Sequence, residues 1–136
     1  RLIEFSTACS NVKVMGRVPD VRSHVQRARV CIVPLLSGSG TRLKILEAFA
    51  LGTPVVSTTI GAEGIFATNG EHLLISDDPK EFAEYVLELV HDCEKSLRIS
   101  KNARCLVEER YDWKKIGGAL IEQIAEASLS HSGIRI

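Results

Sequence analysis

The fold is decided by the stretch Val30–Glu47, which has the sequence Val-Cys-Ile-Val-Pro-Leu-Leu-Ser-Gly-Ser-Gly-Thr-Arg-Leu-Lys-Ile-Leu-Glu. Its first part, Val30–Val33, is an unbroken apolar run rich in β-branched residues, which predicts a strand buried on both faces, as in a parallel sheet. The small residues of Ser37–Thr41 predict a flexible loop. Apolar residues at helical spacing follow and end before Gly52, a natural C-terminal cap, so this stretch predicts a strand, a loop and a helix in that order. The apolar residues of the helix are Leu43, Ile45, Leu46, Phe49 and Ala50.

The alternation of strands and helices continues on both sides of this stretch. The further elements that we expect are strands at Val12–Met15, Val55–Thr58 and His72–Ser76, a helix with Asp20 as its N-cap, and an irregular segment at Ile60–Gly70. Strands that alternate with helices predict an α/β fold with a Rossmann-like parallel sheet and flanking helices. Ligands of such sheets bind beyond the carboxyl ends of the strands, so the loops after Val33 and Thr58 are the first candidates for a site.

The rest of the chain is predicted to be helical. Asp78, followed by Pro79 and Glu81, is a strong helix start, because the aspartate caps the helix, the proline fits its first turn and the glutamate completes the capping pattern. A second helix is expected over Glu94–Arg110, and Asp112 caps a third helix, whose apolar face we expect to pack in the core or in a seam. That face carries Trp113, Ile116, Leu120 and Ile124. The expected organisation is one domain over residues 1–127, with a strand and helix part over 12–76 and a helical part over 78–127, followed by a loose tail over 128–136.

Composition excludes several classes of protein. The 136 residues fit one domain, and 17 basic residues balance 17 acidic ones, so nothing indicates nucleic acid as a partner. No apolar run reaches the length of about 20 residues that a membrane-spanning helix needs. The four cysteines form no C-x-x-C pair and the four histidines are dispersed, so we expect no metal site, reduced and buried thiols, and a cytoplasmic location. The chain opens at Arg1 on apolar residues, so we expect a fragment of a longer protein.

The loop and the helix start after it form a candidate anion site. The first N–H groups of a helix lack intrahelical partners and lie at the positive end of its dipole. Gly38, Ser39 and Gly40 let a phosphate approach the backbone closely. Arg42 and Lys44 add positive charge, which a bare helix N-terminus disfavours and a bound diphosphate favours. The alternative is a tight turn with both cations solvated, and neither the P-loop nor the dinucleotide fingerprint matches.

Glu47 is an acidic residue within an otherwise apolar helical run. A carboxylate beside an apolar surface needs a hydrogen-bonding partner, because its burial without one costs stability. A ribose diol is one candidate partner. The alternatives are an internal ion pair with Arg42 or Lys44, or simple exposure at a boundary position.

Several segments together resemble a known family. They are Gly16-Arg17-Val18, Ala28–Pro34, Gly38–Ser57, Gly61–Gly64 and Tyr111-Asp112-Trp113. Over about residues 11–127 the chain is similar to the C-terminal domain of GT-B glycosyltransferases, and more narrowly to the glycosyltransferase group 1 family. The run from Glu47 to Ser57 is the most specific part of this resemblance.

The resemblance implies a nucleotide-diphosphate sugar as donor, transfer of its sugar to an acceptor hydroxyl with retention of anomeric configuration, and no bound metal or other cofactor. The residues that it implies are Gly38, Ser39, Gly40 and Thr41 for the donor diphosphate, Glu47 for the ribose, Gly16, Arg17 and Val18 for the base, and the loop Thr58–Gly64, with Thr59, Gly61 and Glu63, for the sugar side. Arg42 and Lys44 are added to the phosphate site on electrostatic grounds.

The sequence also departs from the family pattern. The family often carries two glutamates, of which the later one corresponds to Glu47 and the earlier one would lie at Ser39. Because a serine stands there, contacts from that carboxylate to the donor sugar are not expected here. The family implies an N-terminal domain with the catalytic residues and a carbohydrate or lipid-linked acceptor, and two further strands with cations that clamp the donor phosphates. Because this chain contains none of these, we expect that it cannot catalyse transfer alone. The full-length protein could also lie peripherally at the inner membrane face.

Two alternative functions stay open. The first is a non-catalytic module that binds a nucleotide or a partner through the same loop. The second is a GT-B nucleotide-sugar epimerase, which needs catalytic carboxylates and a histidine that this sequence does not place. A homodimer formed through exposed sheet edges also stays open.

Overall fold

The structure, a computed structural model, describes residues 9–38, 40 and 42–131. The predictions for Ser39 and Thr41 therefore lie outside the described residues. The elements are α1 (Arg22–Arg27), β1 (Cys31–Val33), α2 (Leu43–Ala50), β2 (Val55–Ser57), α3 (Thr59–Ala62), β3 (Leu74–Ile75), α4 (Pro79–His91), α5 (Cys93–Arg110) and α6 (Trp113–His131). This order confirms the α/β fold.

The three described strands form one parallel sheet in the order β1-β2-β3. Ile32 of β1 is paired in register with Val56 of β2, and Val56 is in turn paired with Leu74 of β3. Since each strand runs parallel to the previous one, each connection crosses over a face of the sheet through helical segments. The carboxyl ends of the strands therefore meet at one edge, where the loops after β1 and β2 lie.

The core is divided between the two faces of the sheet. Val55 packs in a cluster with Phe49 of α2 and Leu106 of α5, whereas Val56 packs in a second cluster with Leu89 of α4. Successive side chains of a strand point to opposite faces, so β2 is buried on both sides. This strand is the central one of the described sheet, and it matches the expectation for an inner parallel strand.

The burial of β1 differs from the prediction. Ile32 is 53% exposed while Val33 is fully buried, so β1 is covered on one face only. The reason is position, because β1 is the edge strand of the described sheet and no described helix covers Ile32. An apolar β-branched run thus predicted the strand correctly and its burial wrongly.

The predicted strand at Val12–Met15 is absent among the described residues. Val14 and Met15 are about half exposed, and the segment forms no ladder with a described strand. A strand needs a neighbour to receive its backbone hydrogen bonds, and the described sheet offers none here. Asp20 is likewise not the N-cap of α1. Val21 occupies that position, and Asp20 instead accepts the Arg22 N–H at 2.9 Å and pairs with the Arg22 guanidinium.

The predictions for the other helices agree more closely with the structure. Helix α2 ends just before Gly52, whose φ of 73° is the left-handed conformation expected at such a terminus. Helix α4 begins at Pro79 with Asp78 as N-cap, and the Asp78 carboxylate accepts the N–H groups of Lys80 and Glu81. The segment Ile60–Gly70 is not wholly irregular, because α3 occupies its first residues.

The terminal helix departs most from expectation. Its apolar stripe is exposed rather than packed in the core, with Trp113 83% exposed and Leu120 and Ile124 more than half exposed. Helical periodicity predicted the stripe, but periodicity does not say what covers it. The helix also continues to His131, four residues into the predicted tail, and residues 132–136 lie outside the described part.

All four cysteines are free, but their predicted burial is wrong for two of them. Cys93 and Cys105 are exposed, whereas Cys9 and Cys31 are half-buried. Burial raises the pKa of the Cys31 thiol, and the nearby charge of Lys44 acts in the opposite direction. No described helix is both long and apolar enough to cross a bilayer.

Candidate functional site

Thr58 joins the carboxyl ends of β1 and β2. Its hydroxyl donates to the Leu35 carbonyl at 2.5 Å, and its N–H donates to the Val33 carbonyl at 3.3 Å. The same hydroxyl oxygen accepts the N–H of Gly61 at 3.0 Å and so caps α3. These bonds hold the loop after β1 and the loop after β2 side by side, as the strand order predicts.

Gly61 packs tightly beneath this junction. It is buried, and a Cβ atom at this position would lie 2.3 Å from Ser57 Oγ and 2.7 Å from the Val33 carbonyl oxygen. No side chain fits in that space without a shift of the backbone. The structure thus gives Gly61 a packing role, and its role on the sugar side stays a prediction.

Arg42 lies at the N-cap position of α2 and is folded into the protein rather than solvated. It is only 6% exposed. Its Nη2 donates to the Gly38 carbonyl at 3.2 Å and to Glu63 Oε2 at 3.4 Å. Its Nε is buried and has no hydrogen-bond partner among the described residues. A buried guanidinium normally satisfies its donors, so this atom points to a missing acceptor.

The start of α2 offers further donors. The N–H groups of Leu43 and Lys44 donate to no described residue, whereas the N–H groups of Ile45 and Leu46 both reach the Arg42 carbonyl. The first turn carries no acidic residue, and the Lys44 side chain is exposed. N–H groups without a described acceptor, the positive end of the helix dipole and the Arg42 guanidinium thus lie at the loop that contains Gly38 and Gly40, and Lys44 follows in the first turn of α2.

Glu47 lies one turn further along α2 and is exposed. Its carboxylate forms no hydrogen bond or ion pair with the described residues, so the alternative of an internal pair with Arg42 or Lys44 does not form there, whereas the alternative of exposure at a boundary position agrees with the structure. Hydrogen bonding to Asp20 raises the pKa of Arg22, and the charge of Glu47 contributes a smaller effect in the same direction. Helix α1 contacts α2, the helix that carries Glu47.

A groove of about 350 Å³ runs beside Glu47. The lining side chains are otherwise apolar or aromatic and come from α2, α5 and the start of α6. They are Leu43, Leu46, Val107, Tyr111, Trp113 and Ile116. The proximity of Tyr111 and Trp113 to Glu47 was not predicted, because the two segments are distant in sequence.

The predicted base-binding residues form an exposed segment before α1. Gly16 has a φ of 64°, and Arg17 is exposed while Val18 is half-buried. The role of this segment in base binding stays a prediction.

The predicted sugar-side loop is fixed at several points. The Thr59 N–H donates to Asp77 Oδ1 at 2.8 Å, and this hydrogen bond lowers the pKa of the Asp77 carboxyl. The Glu63 side chain is 74% exposed, although its carboxylate contacts Arg42. The Phe66 N–H donates to Tyr111 Oη at 3.0 Å. Asp77 and Tyr111 were both missed by sequence reasoning, since each acts from a distant element.

Neither a metal centre nor a disulfide emerges among the described residues. No group of three His, Cys, Asp or Glu side chains in this part of the chain lies close enough to hold a metal ion. Among the described residues, the positive charges near the start of α2 are those of Arg42, Lys44 and the helix dipole.

Comparison with solved structures defines the class of fold. The chain is similar to sucrose-phosphate synthase from Thermosynechococcus elongatus, with a TM-score of 0.75 and 25% sequence identity over 93% of this chain and 33% of that chain. The fold is thus that of the GT-B glycosyltransferases, as the sequence predicted.

Sequence comparison identifies the family. The profile described as glycosyl transferases group 1 matches residues 2–92, and the chain belongs to this family. A 44.6 kDa protein of the cps region of Klebsiella pneumoniae is 34% identical over 94 residues, which are 69% of this chain and 24% of that protein. Phosphatidyl-myo-inositol mannosyltransferase of Mycobacterium leprae is 24% identical over 131 residues, which are 93% of this chain and 34% of that protein. The chain thus spans about a third or less of the length of these relatives.

The packing at Gly61 gives a testable prediction. Gly61→Ala should lower the free energy of unfolding by about 1–3 kcal/mol, because the new methyl group overlaps Ser57 Oγ and the Val33 carbonyl. Chemical denaturation of the full-length protein measures the change. Gly118→Ala on α6 is the matched control, because its Cβ meets nothing within 4 Å, and it should be neutral or slightly stabilising. Equal stabilities of Gly61→Ala and the parent protein would contradict the proposed packing.

Proposed function

We propose that the protein containing this chain transfers a sugar from a nucleotide-diphosphate sugar to an acceptor hydroxyl, and that this chain supplies the donor-binding surface. The observation that carries the proposal is the Nε of buried Arg42, which lies at the loop that leads into α2 and has no acceptor among the described residues. A diphosphate oxygen is an acceptor that suits this donor. Family membership supports the same class of reaction.

The diphosphate is proposed to bind at the start of α2. The N–H groups of Leu43 and Lys44 and the orphaned Nε of Arg42 would donate to its oxygens, together with the predicted backbone donors of Gly38–Thr41. The dipole of α2 and the ammonium of Lys44 add favourable charge. These groups neutralise part of the diphosphate charge without a metal ion.

The nucleoside is proposed to lie along α2 toward Glu47. Glu47 follows Leu43 by one helical turn, or about 6 Å along the axis, and its carboxylate is free to accept hydroxyl hydrogen bonds. The groove beside Glu47 and the segment Gly16–Val18 are the candidate contacts for the base. The donor sugar then extends toward Thr59, Gly61 and Glu63.

We propose that the acceptor is a carbohydrate or a lipid-linked molecule, bound outside this chain, where we also expect the catalytic residues. The similarity to phosphatidyl-myo-inositol mannosyltransferase, whose name contains that of a phospholipid, supports a lipid-linked acceptor. We propose retention of anomeric configuration and a cytoplasmic enzyme with peripheral contact to the inner membrane face. A homodimer through the exposed edge of β1 also stays a proposal.

The ribose contact is tested by Glu47→Ala. We expect binding of one among UDP, GDP and ADP by the full-length protein, and we expect this variant to weaken it by about 1–3 kcal/mol, because the ribose hydroxyls lose their acceptor. Isothermal titration calorimetry measures the affinities. Glu84→Ala on α4 is the control, since this exposed carboxylate makes no contact with the described site. If no nucleotide binds, or if Glu47→Ala leaves the affinity unchanged, a non-catalytic binding module becomes the better interpretation.

The phosphate contact is tested separately by Arg42→Lys. Lysine keeps the positive charge but lacks the Nε donor and the forked geometry of the guanidinium. We expect about a tenfold loss of affinity for the nucleoside diphosphate, and no change for the weak binding of the nucleoside without phosphates. Arg98→Lys on α5, an exposed arginine away from the site, is the control. An equal loss for nucleoside and nucleotide would show that Arg42 acts on the fold and not on the phosphates.

A further inference from the structure

The loop between α3 and β3 begins with the segment Glu63–Phe66, and both ends of this segment contact other parts of the protein. At one end, the Glu63 carboxylate contacts the buried Arg42 guanidinium. At the other end, the Phe66 N–H donates to Tyr111 Oη at 3.0 Å. Between them, the Ile65 N–H reaches back to the Ala62 carbonyl at 3.3 Å. The position of Glu63 therefore depends on both attachments.

The attachment at Phe66 has a second component. The Arg110 guanidinium lies over the Phe66 ring, 5.3 Å from its centroid. A cation over an aromatic face is attracted to it at this distance. Phe66 itself is 69% exposed, so its ring is held by Arg110 rather than by burial in the core. Arg110, the last residue of α5, thus contacts the side chain of Phe66, and Tyr111, which follows it, binds the Phe66 backbone.

Tyr111 also reaches the helix that carries Glu47. Its ring packs against the main core cluster and lines the groove beside Leu46 and Glu47. One side chain thus contacts both halves of the candidate donor site. Its hydroxyl fixes the loop of Glu63, and its ring adjoins the helix of Glu47.

We propose that Tyr111, assisted by Arg110, is a positioning residue that sets the loop of Glu63 relative to Glu47. This inference rests on the proposed function. It assigns to Tyr111 the discrimination between a nucleotide sugar, which extends past the diphosphate to the loop, and the plain nucleoside diphosphate, which does not. A displaced loop then weakens binding of the nucleotide sugar and leaves binding of the nucleoside diphosphate unchanged.

The test is Tyr111→Phe, which removes only the hydroxyl and keeps the ring. The full-length protein is titrated with three pairs of ligands, namely UDP-glucose and UDP, GDP-mannose and GDP, and ADP-glucose and ADP. For the pair that binds, the variant should weaken binding of the nucleotide sugar by about two- to fivefold and leave binding of the nucleoside diphosphate unchanged. The upper limit corresponds to the full free energy of the hydrogen bond that is lost from the loop.

The other tyrosine of the chain provides a matched control. Tyr85 Oη donates to Glu81 Oε1 at 3.1 Å, and both residues belong to α4. Tyr85→Phe loses the same chemical group and should change neither affinity. Arg110→Gln keeps the Tyr111 hydrogen bond and should weaken the nucleotide sugar in the same direction by a smaller factor, which provides a second test if Tyr111→Phe folds poorly.

The outcomes separate this inference from the proposed function. If the parent protein binds none of the six ligands, the proposed function fails and the role of Tyr111 falls with it. If the parent binds a pair but Tyr111→Phe weakens both members equally, Tyr111 serves the fold alone. If Tyr111→Phe changes neither affinity, the loop is positioned without it, and in both of these cases the proposed function stands while the inference does not.

Discussion

The hydrogen bonds of Thr58 across the carboxyl ends of β1 and β2 are the constraint on which the candidate site depends. They hold the Val33 and Leu35 carbonyls beside α3. The loop that leads to Arg42 begins at these carbonyls, and the loop of Glu63 follows α3. Gly61 packs so closely against the Val33 carbonyl that a side chain at this position would force the junction apart. Two loops that are distant in sequence therefore start from one rigid point, and their ligand groups can be held at a defined separation.

Electrostatics at this junction favours one more negative charge. A buried guanidinium is costly unless its donors are satisfied. Here Arg42 is paired with an exposed carboxylate and one carbonyl, and its Nε lacks an acceptor among the described residues. The adjacent helix start adds N–H groups that donate to no described residue, and its first turn carries no acidic residue. The proposed diphosphate would supply acceptors to these described donors.

Local signals in the sequence predicted those features that local chemistry determines. Periodicity, the Asp78 cap and the Gly52 terminus gave the helices, and the apolar run at Val55 gave the central strand. Features that depend on distant partners were not predictable in this way. The exposure of Ile32 and Trp113 depends on what covers them, and the pairing of Arg42 with Glu63 spans 21 residues. The bond between Phe66 and Tyr111 spans 45 residues, so no local pattern indicates it.

The most direct test of this account is a crystal structure of the full-length protein with the nucleoside diphosphate that it binds. The account predicts a phosphate oxygen within hydrogen-bonding distance of Arg42 Nε and of the first N–H groups of α2, with the ribose hydroxyls on the Glu47 carboxylate. A nucleotide bound elsewhere, with Arg42 Nε still unpartnered, would contradict the central claim that this loop is the donor-phosphate site.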